Sequence, residues 1–122
     1  MELICEYISA ALELRDVDYA DKKSVRKHND SADRMRAIAR QIADERPELK
    51  DAFCQLLFHE NKSVRLWAAH HMLEVMRYAD KPRANALREI TVAAQDDSVD
   101  GLGNKMWLAE WLADHPEDKC LV

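Results

Sequence analysis

The sequence has few of the residues that make turns, cross-links or membrane spans. Its 122 residues include two glycines, three prolines and three cysteines, and aromatic residues make up 7%. So few glycines leave little turn chemistry for β-hairpins. No run approaches the ~18 consecutive apolar residues of a membrane span. Residues 1–6 include acids where a secretory signal requires a basic and then an apolar stretch. We therefore expect a helical protein that has no contact with a membrane.

The cysteines do not form a recognisable pattern. Cys5, Cys54 and Cys120 are an odd number, far apart, with no Cys-x-x-Cys pair. This spacing favours reduced thiols over a disulfide framework or a zinc site, and hence a cytoplasmic location. Cys5 and Cys54 fall within apolar helical stripes, which predicts buried structural thiols. No metal or other cofactor is predicted.

Charge is abundant but unevenly distributed. Charged residues make up 34% and apolar residues 48%, with 18 Lys and Arg against 23 Asp and Glu, for a net charge of -5. A chain of this size forms one domain, residues 1–122, that buries about two thirds of its surface. Residues 22–46 carry eight basic and four acidic side chains, whereas 89–118 carry one lysine and eight acids. The acidic end favours a basic protein partner, and the net charge makes general nucleic-acid affinity unlikely.

Apolar residues recur at helical spacing in six segments. The predicted helices begin near Leu3, at Ser24, at Pro47, at Ser63, at Pro82 and at Ser98; the second ends near Glu45, the third near His59 and the fourth near Arg77. The serines are expected to cap their helices, and the prolines suit a first turn. In the second helix, Asp30 and Asp33 lie at pairing distance from Arg34 and Arg36, which predicts a salt-bridged face.

The chain also repeats itself. Lys23-Ser24-Val25-Arg26 recurs 39 residues later as Lys62-Ser63-Val64-Arg65, and a weaker third copy is Ser98-Val99. Helix pairs that repeat every ~40 residues are typical of HEAT and armadillo proteins. The predicted fold class is therefore all-α, a short HEAT/armadillo-like α-solenoid of three helical hairpins.

The stretch from Asn61 to Leu73 resembles the Val-Arg-x-x-Ala-Ala-x-x-Leu core of a HEAT repeat. With Arg26-Lys27-His28-Asn29 upstream, it is similar to a small bacterial HEAT-like family known only as a domain of unknown function, number two-thousand-nineteen of its catalogue. The resemblance covers about residues 20–112 and implies a fold without an activity. It also implies that Arg26 and Arg65 bond to an adjacent helix end or acid. The first repeat departs from the pattern, with Asn29 and Asp30 in place of Ala-Ala.

The fourth helix has a wide apolar arc and a narrow polar strip. The arc comprises Val64, Ala68, Ala69, Met72, Leu73, Val75 and Met76. The strip, which we call the α4 strip, comprises His70, Glu74 and Arg77, flanked by Leu66 and Trp67. In HEAT-like folds this helix lines the concave surface, so the α4 strip is a candidate binding site. The alternative is a solvated face with a His70–Glu74 contact.

A metal-dependent activity at His70, His71 and Glu74 is a further alternative, because these spacings place potential ligands on one helix. A third protein ligand from elsewhere is missing, and His71 points into the apolar arc, where a hydrogen-bonded core histidine is expected. The chain has no Gly-rich phosphate loop, no Gly-x-Ser-x-Gly and no His-Glu-x-x-His. We therefore predict that the protein is not an enzyme.

The sixth helix contains the most specific candidate for a partner-binding site. Its predicted core-facing arc is Val99, Leu102, Met106, Leu108, Ala109, Leu112 and Ala113. Trp107 and Trp111 fall on the opposite side among Asp100, Glu110 and Asp114, which resembles an interface hot spot for a basic partner. The alternative is that the two tryptophans pack under the tail of residues 115–122, with Cys120, Leu121 and Val122 as its apolar contacts.

The predicted function is a non-enzymatic protein-protein interaction module. Its most concrete form is an acidic immunity protein, an inhibitor that binds a basic bacterial toxin through complementary charge. The alternative is a nucleic-acid-binding or repair protein that uses the basic second helix. The predicted partner-binding residues are Trp107, Trp111, Asp100, Glu110, Asp114, Leu66, Trp67, His70, Glu74 and Arg77.

Overall fold

A computed structural model describes residues 2–14 and 20–122. They form six α-helices: α1 (Glu2–Glu13), α2 (Lys22–Glu45), α3 (Lys50–Cys54), α4 (Lys62–Glu74), α5 (Asp80–Ala93) and α6 (Val99–Asp114). Short 3-10 helices, Pro47–Leu49 and Gln55–Phe58, flank α3, and a third, Pro116–Leu121, follows α6. The predicted third helix is therefore three short segments. The predicted all-α class is confirmed, because these residues contain no strand.

Two of the predicted capping residues are wrong. Asp21 caps α2, where its Oδ1 accepts the Lys23 N–H at 3.0 Å. Asn61 caps α4, where its Oδ1 accepts the Ser63 N–H at 2.9 Å. Asp and Asn cap as well as Ser does, and both precede the predicted serine by two or three residues, so each helix begins earlier. The Ser98 cap of α6 is confirmed, with its Oγ 3.0 Å from the backbone nitrogen of Gly101.

The predicted end of α4 near Arg77 is also wrong. The helix ends at Glu74, and the Tyr78 N–H then donates to the Met72 carbonyl at 3.0 Å. This bond spans six residues and, with the left-handed φ of 55° at Arg77, turns the chain away from the helix axis. Arg77 is therefore exposed in a turn and does not continue the face of His70 and Glu74.

The core is centred on α4, which contacts α1, α2 and α5. The predicted apolar arc of α4 is confirmed: all its members are buried except Val75, which is half-buried. Around it lie the largest fully buried side chains of the other segments, Tyr7, Met35, Ile38, Ile42, Phe53, Leu87 and Ile90. Tyr7 meets Phe53 edge to face with ring centroids 4.8 Å apart, which joins α1 to α3.

Ionic contacts join neighbouring helices. Arg34 of α2 pairs with Glu6 of α1, and Arg36 pairs with Glu74 of α4 at 3.9 Å. The pairing predicted within α2, with Asp30 and Asp33, is therefore wrong for both arginines, because carboxylates on adjacent helices lie closer.

The structural role predicted for Arg65 is confirmed. Its Nε donates to Glu89 of α5 at 2.9 Å, and its Nη1 donates to the His59 carbonyl at 2.8 Å. It thus ties the start of α4 to α5 and to the end of the preceding 3-10 helix. The equivalent Arg26 is exposed on α2.

The cysteines lie outside the fully buried core. Cys5 and Cys120 are exposed and Cys54 is half-buried, so the prediction of a buried Cys5 is wrong. Burial raises the pKa of the Cys54 thiol, which disfavours the reactive thiolate. None of the helices in residues 2–14 and 20–122 has the length and apolar character needed to cross a membrane.

Candidate functional site

Helix α6 faces the core with the opposite side from the one predicted. Val99, Leu102 and Met106 are 87%, 56% and 60% exposed. Trp107 and Trp111 are half-buried and pack against the core, together with Leu108. The predicted core-facing arc is therefore wrong for most of its members, and the two tryptophans do not lie on an open polar face.

Side-chain area and polar partners explain this orientation. An indole buries more apolar surface than Val or Met, and its N–H needs an acceptor when buried. Trp107 Nε1 donates to Glu74 of α4, and Trp111 Nε1 donates to Asp118 at 2.9 Å. Gly101 lies on the same buried side, where an added Cβ would come within 2.0 Å of the Asp96 carbonyl oxygen. The inward side of α6 is thus fixed by two donors and one close backbone contact.

The tail covers Trp111, but through polar residues. Asp118 is only 2% exposed and receives Arg83 Nε at 3.0 Å and Nη2 at 2.7 Å. These bonds from Arg83 hold the pKa of Asp118 below its ordinary value. The His115 ring stacks on Trp111 at 3.9 Å. The contacts predicted from the tail's apolar residues are wrong, because Cys120, Leu121 and Val122 are all exposed.

A cleft of about 1060 Å³ lies between α2, α4 and α6. The contacts from α4 to both Arg36 and Trp107 show that α4 forms its floor, with α2 and α6 as its walls. Of the predicted partner-binding residues, the cleft contains Leu66, Trp67, His70, Glu74, Asp100 and Trp107. Trp111, Glu110, Asp114 and Arg77 lie outside it. We refer to this space as the cleft.

A hydrogen-bonded network joins α4 to α6 within the cleft. Asn104 Nδ2 donates to the Asp100 carbonyl at 2.9 Å, so its Oδ1 is the acceptor for His70 Nε2, also at 2.9 Å. The predicted His70–Glu74 contact is confirmed, with Nδ1 and Oε1 3.7 Å apart. The neighbouring His70, and then the hydrogen bond from Trp107, lower the pKa of Glu74. Glu74 is thus held as a carboxylate beside polar groups of two helices.

His71 is the hydrogen-bonded core histidine that was predicted. Its Nδ1 lies 2.6 Å from the Tyr7 hydroxyl, and burial lowers its pKa to about 4. The neutral ring therefore accepts a hydrogen bond from the Tyr7 hydroxyl at Nδ1 and has its own proton on Nε2. Burial also raises the pKa of Tyr7, which keeps the phenol protonated.

Metal ligation was a second possible role for His70 and His71. Within the part of the chain that the structure describes, no group of three or more His, Cys, Asp and Glu side chains is placed to hold a metal ion. His71 uses Nδ1 for Tyr7, and His70 uses Nε2 for Asn104. The geometry gives the metal-dependent alternative no support.

The second surface of interest is the exposed side of α6. We define the outer face of α6 as Val99, Leu102, Met106, Ala109 and Ala113, all of which are exposed. By helical periodicity Glu110 and Asp114, also exposed, border this strip on one side. Val99 belongs to the outer face and also lines the cleft, so the two surfaces adjoin.

Arg83, Asn104 and Asp118 take part in the contacts of α6 although the sequence patterns did not single them out. A signal existed for two of them, since each buried indole N–H requires an acceptor and Asn104 lies on the same helical side as Trp107 and Trp111. No local pattern indicated that Arg83, 35 residues away, would pair with Asp118.

Comparison with known proteins yields no relative: no family model, no curated protein and no solved structure matches the chain. The resemblance to the HEAT-like family therefore stays a prediction.

Proposed function

We propose that this protein is a non-enzymatic protein-protein interaction module. The observation that carries the proposal is the outer face of α6, where three large apolar side chains are each more than half exposed. A helix that exposes an apolar strip beside charged residues is typical of a binding surface, because single exposed residues are common whereas a contiguous strip is not.

Charge defines the proposed partner. The outer face lies within residues 89–118, which contain eight acids and one lysine. A basic protein gains both apolar burial and faster electrostatically guided association at such a surface. The most concrete form of the proposal is a cytoplasmic immunity protein that inhibits a basic bacterial toxin; this last step is an analogy based on size and charge.

The architecture that we propose for the module is a HEAT-like α-solenoid. Two contacts support it: His70 of α4 meets Asn104 of α6, and Glu74 meets Trp107. The order of these contacts means that α4 and α6 run parallel. Parallel second helices are what stacked helical hairpins require.

The nucleic-acid alternative has less support. Two of the arginines of α2, Arg34 and Arg36, pair with carboxylates of α1 and α4. A phosphate would have to compete with these carboxylates, so the basic segment offers fewer free cations than its composition suggests.

The proposal is tested by capture of a partner on immobilised protein. Wild type is compared with a Leu102→Ser, Met106→Ser variant, which removes apolar surface from the outer face without changing its charge. The matched control is Phe58→Ser, Val92→Ser, since these residues are comparably exposed, at 71% and 59%, and lie outside α6. All three proteins are first checked for unchanged circular dichroism.

The expected result is a basic protein, identified by mass spectrometry, that rebinds in purified form to wild type and to the control but not to the α6 variant. For the immunity form, the module must also abolish the toxic activity of that protein. Equal binding to the α6 variant, an acidic partner or no specific partner would each refute the proposal.

A further inference from the structure

We infer that the cleft binds an extended basic segment of the partner, with an arginine or lysine side chain paired with Asp33 or Asp100. This inference rests on the proposed function, because it assigns the cleft to the same basic partner as the outer face of α6. It adds a second contact region and names the chemistry that the region recognises.

The cleft has an excess of negative charge. Its lining has three carboxylates, Asp33, Glu74 and Asp100, and one guanidinium, Arg36. Counted over the Asp, Glu and Arg side chains, this leaves two excess negative charges. An anionic ligand is disfavoured, and a cation is attracted into a recess that concentrates the field of its walls.

The three carboxylates of the cleft differ in whether they already have partners. Glu74 already accepts a hydrogen bond from Trp107 and pairs with Arg36 at 3.9 Å, and His70 Nδ1 lies 3.7 Å from it. Asp33 and Asp100 are exposed, and their carboxylates form no hydrogen bond or ion pair with any other residue in the described ranges. They come from opposite walls, α2 and α6. A guanidinium or ammonium at either of them would gain a charge-assisted hydrogen bond without breaking an existing pair.

Two aromatic side chains also line the cleft. Trp67 of the floor and Trp107 of the α6 wall both line the cleft. Trp107 stacks on Trp111 with ring centroids 5.1 Å apart, and the His70 ring meets it edge to face at 4.5 Å, so the indole is held in place. Indole faces attract cations, and arginine stacks on them while also bonding to carboxylates. Carboxylates and indoles in one recess thus favour a basic side chain over other cations of the same charge.

The volume of the cleft limits what can occupy it. A cleft of about 1060 Å³ is at the upper limit of small-molecule sites, which occupy about 300–1,000 Å³. The space is therefore large enough for several residues of extended peptide. Since Val99 joins the cleft to the outer face of α6, a segment of the partner can continue from one surface to the other.

The test uses the peptide acetyl-Gly-Arg-Gly-Arg-Gly-amide as probe, and the same peptide with citrulline at both arginines as its neutral isostere. Binding to the ¹⁵N-labelled chain is followed by NMR at low salt through the three indole N–H signals. We expect the signals of Trp67 and Trp107 to move while that of Trp111, which is outside the cleft, stays. Equal shifts with the citrulline peptide, or no shift with either, would overturn the inference.

Two variants with the same change of charge locate the site. Asp33→Asn, Asp100→Asn removes the two open carboxylates of the cleft, and Glu110→Gln, Asp114→Asn removes two acids that border the outer face. We expect the first variant to bind the arginine peptide about fivefold more weakly and the second to bind like wild type. Equal weakening in both would mean general charge attraction and would overturn the inference.

The outcome is separable from that of the proposed function. A partner lost on mutation of the outer face, combined with no peptide in the cleft, would refute only this inference. Peptide binding in the cleft without any protein partner would refute the proposed function and leave the cleft as a site for a basic peptide alone.

Discussion

Arg77 shows how one side chain can be placed in an unfavourable backbone conformation to end a helix. Its φ of 55° is in the left-handed region, which costs a residue with a Cβ about 1 kcal/mol relative to glycine. We expect Arg77→Gly to raise the free energy of unfolding by about that amount, measured by urea denaturation. Arg77→Ala keeps the Cβ and should give no such gain; an equal gain would assign the effect to the arginine side chain.

The two glycines of α6 give opposite predictions. A Cβ on Gly101 would lie 2.0 Å from the Asp96 carbonyl oxygen, whereas a Cβ on Gly103 would meet nothing within 4 Å. Gly101→Ala should therefore lower the free energy of unfolding by about 1–3 kcal/mol through overpacking. Gly103→Ala should raise it by about 0.5–1 kcal/mol, because alanine favours a helix. Thermal and urea unfolding of both variants measure this difference, and the same sign for both would contradict the contact at Gly101.

Arg65 bonds α4 to α5 through Glu89 and to the end of the preceding 3-10 helix through the His59 carbonyl. We expect Arg65→Ala to lower the free energy of unfolding by about 1–2 kcal/mol, because it removes a partly buried ion pair and a bond to a carbonyl oxygen. Arg88→Ala, at an exposed position of α5, serves as the control and should change it by less than ~0.5 kcal/mol. Equal unfolding midpoints for Arg65→Ala and wild type would contradict the structural role.

Among the helices, α6 marks the limit of prediction from the sequence. For α4, apolar periodicity predicted the buried side, because one arc held nearly all its apolar residues. In α6 two sides competed: an aliphatic one with Met106 and an aromatic one with Trp107 and Trp111. Periodicity weighs residues by number, whereas burial depends on area and on partners for the indole N–H groups. Those partners, Glu74 and Asp118, belong to other segments, and no pattern within α6 reveals them.

At the level of the whole chain, the helical class, the approximate helices and four cleft residues of α4 followed from local patterns. The cleft itself did not, since it depends on how α2 and α6 are placed relative to α4.

The clearest pH dependence belongs to the core. Burial lowers the pKa of His71 from 6.5 to about 4, so the unfolded chain binds a proton between these values that the folded chain does not.

His71 therefore stabilises the fold fully above about pH 6.5, and this contribution is lost as the pH falls toward 4. We expect the free energy of unfolding to drop by about 2 kcal/mol between about pH 7.5 and about pH 5, measured by urea titration. His71→Gln keeps an acceptor for Tyr7 but does not titrate, so its stability should change less over this interval. Parallel pH profiles of stability for the two proteins would assign the loss of stability to groups other than His71. Asp118, whose pKa is lowered, loses its contribution to stability only at lower pH.

Helix α6 has one more consequence, which concerns linkage between its two sides. Asp100 and Trp107 form a wall of the cleft, while Leu102 and Met106 on the same rigid segment face outward. A molecule that shifts α6 from outside must alter the distance between this wall and α2. If this molecule changes the affinity of the cleft for its ligand by some factor, thermodynamic reciprocity requires the cleft ligand to change the affinity of the molecule for the outer face by the same factor. One helix can thus make the two surfaces cooperative without any contact between their ligands.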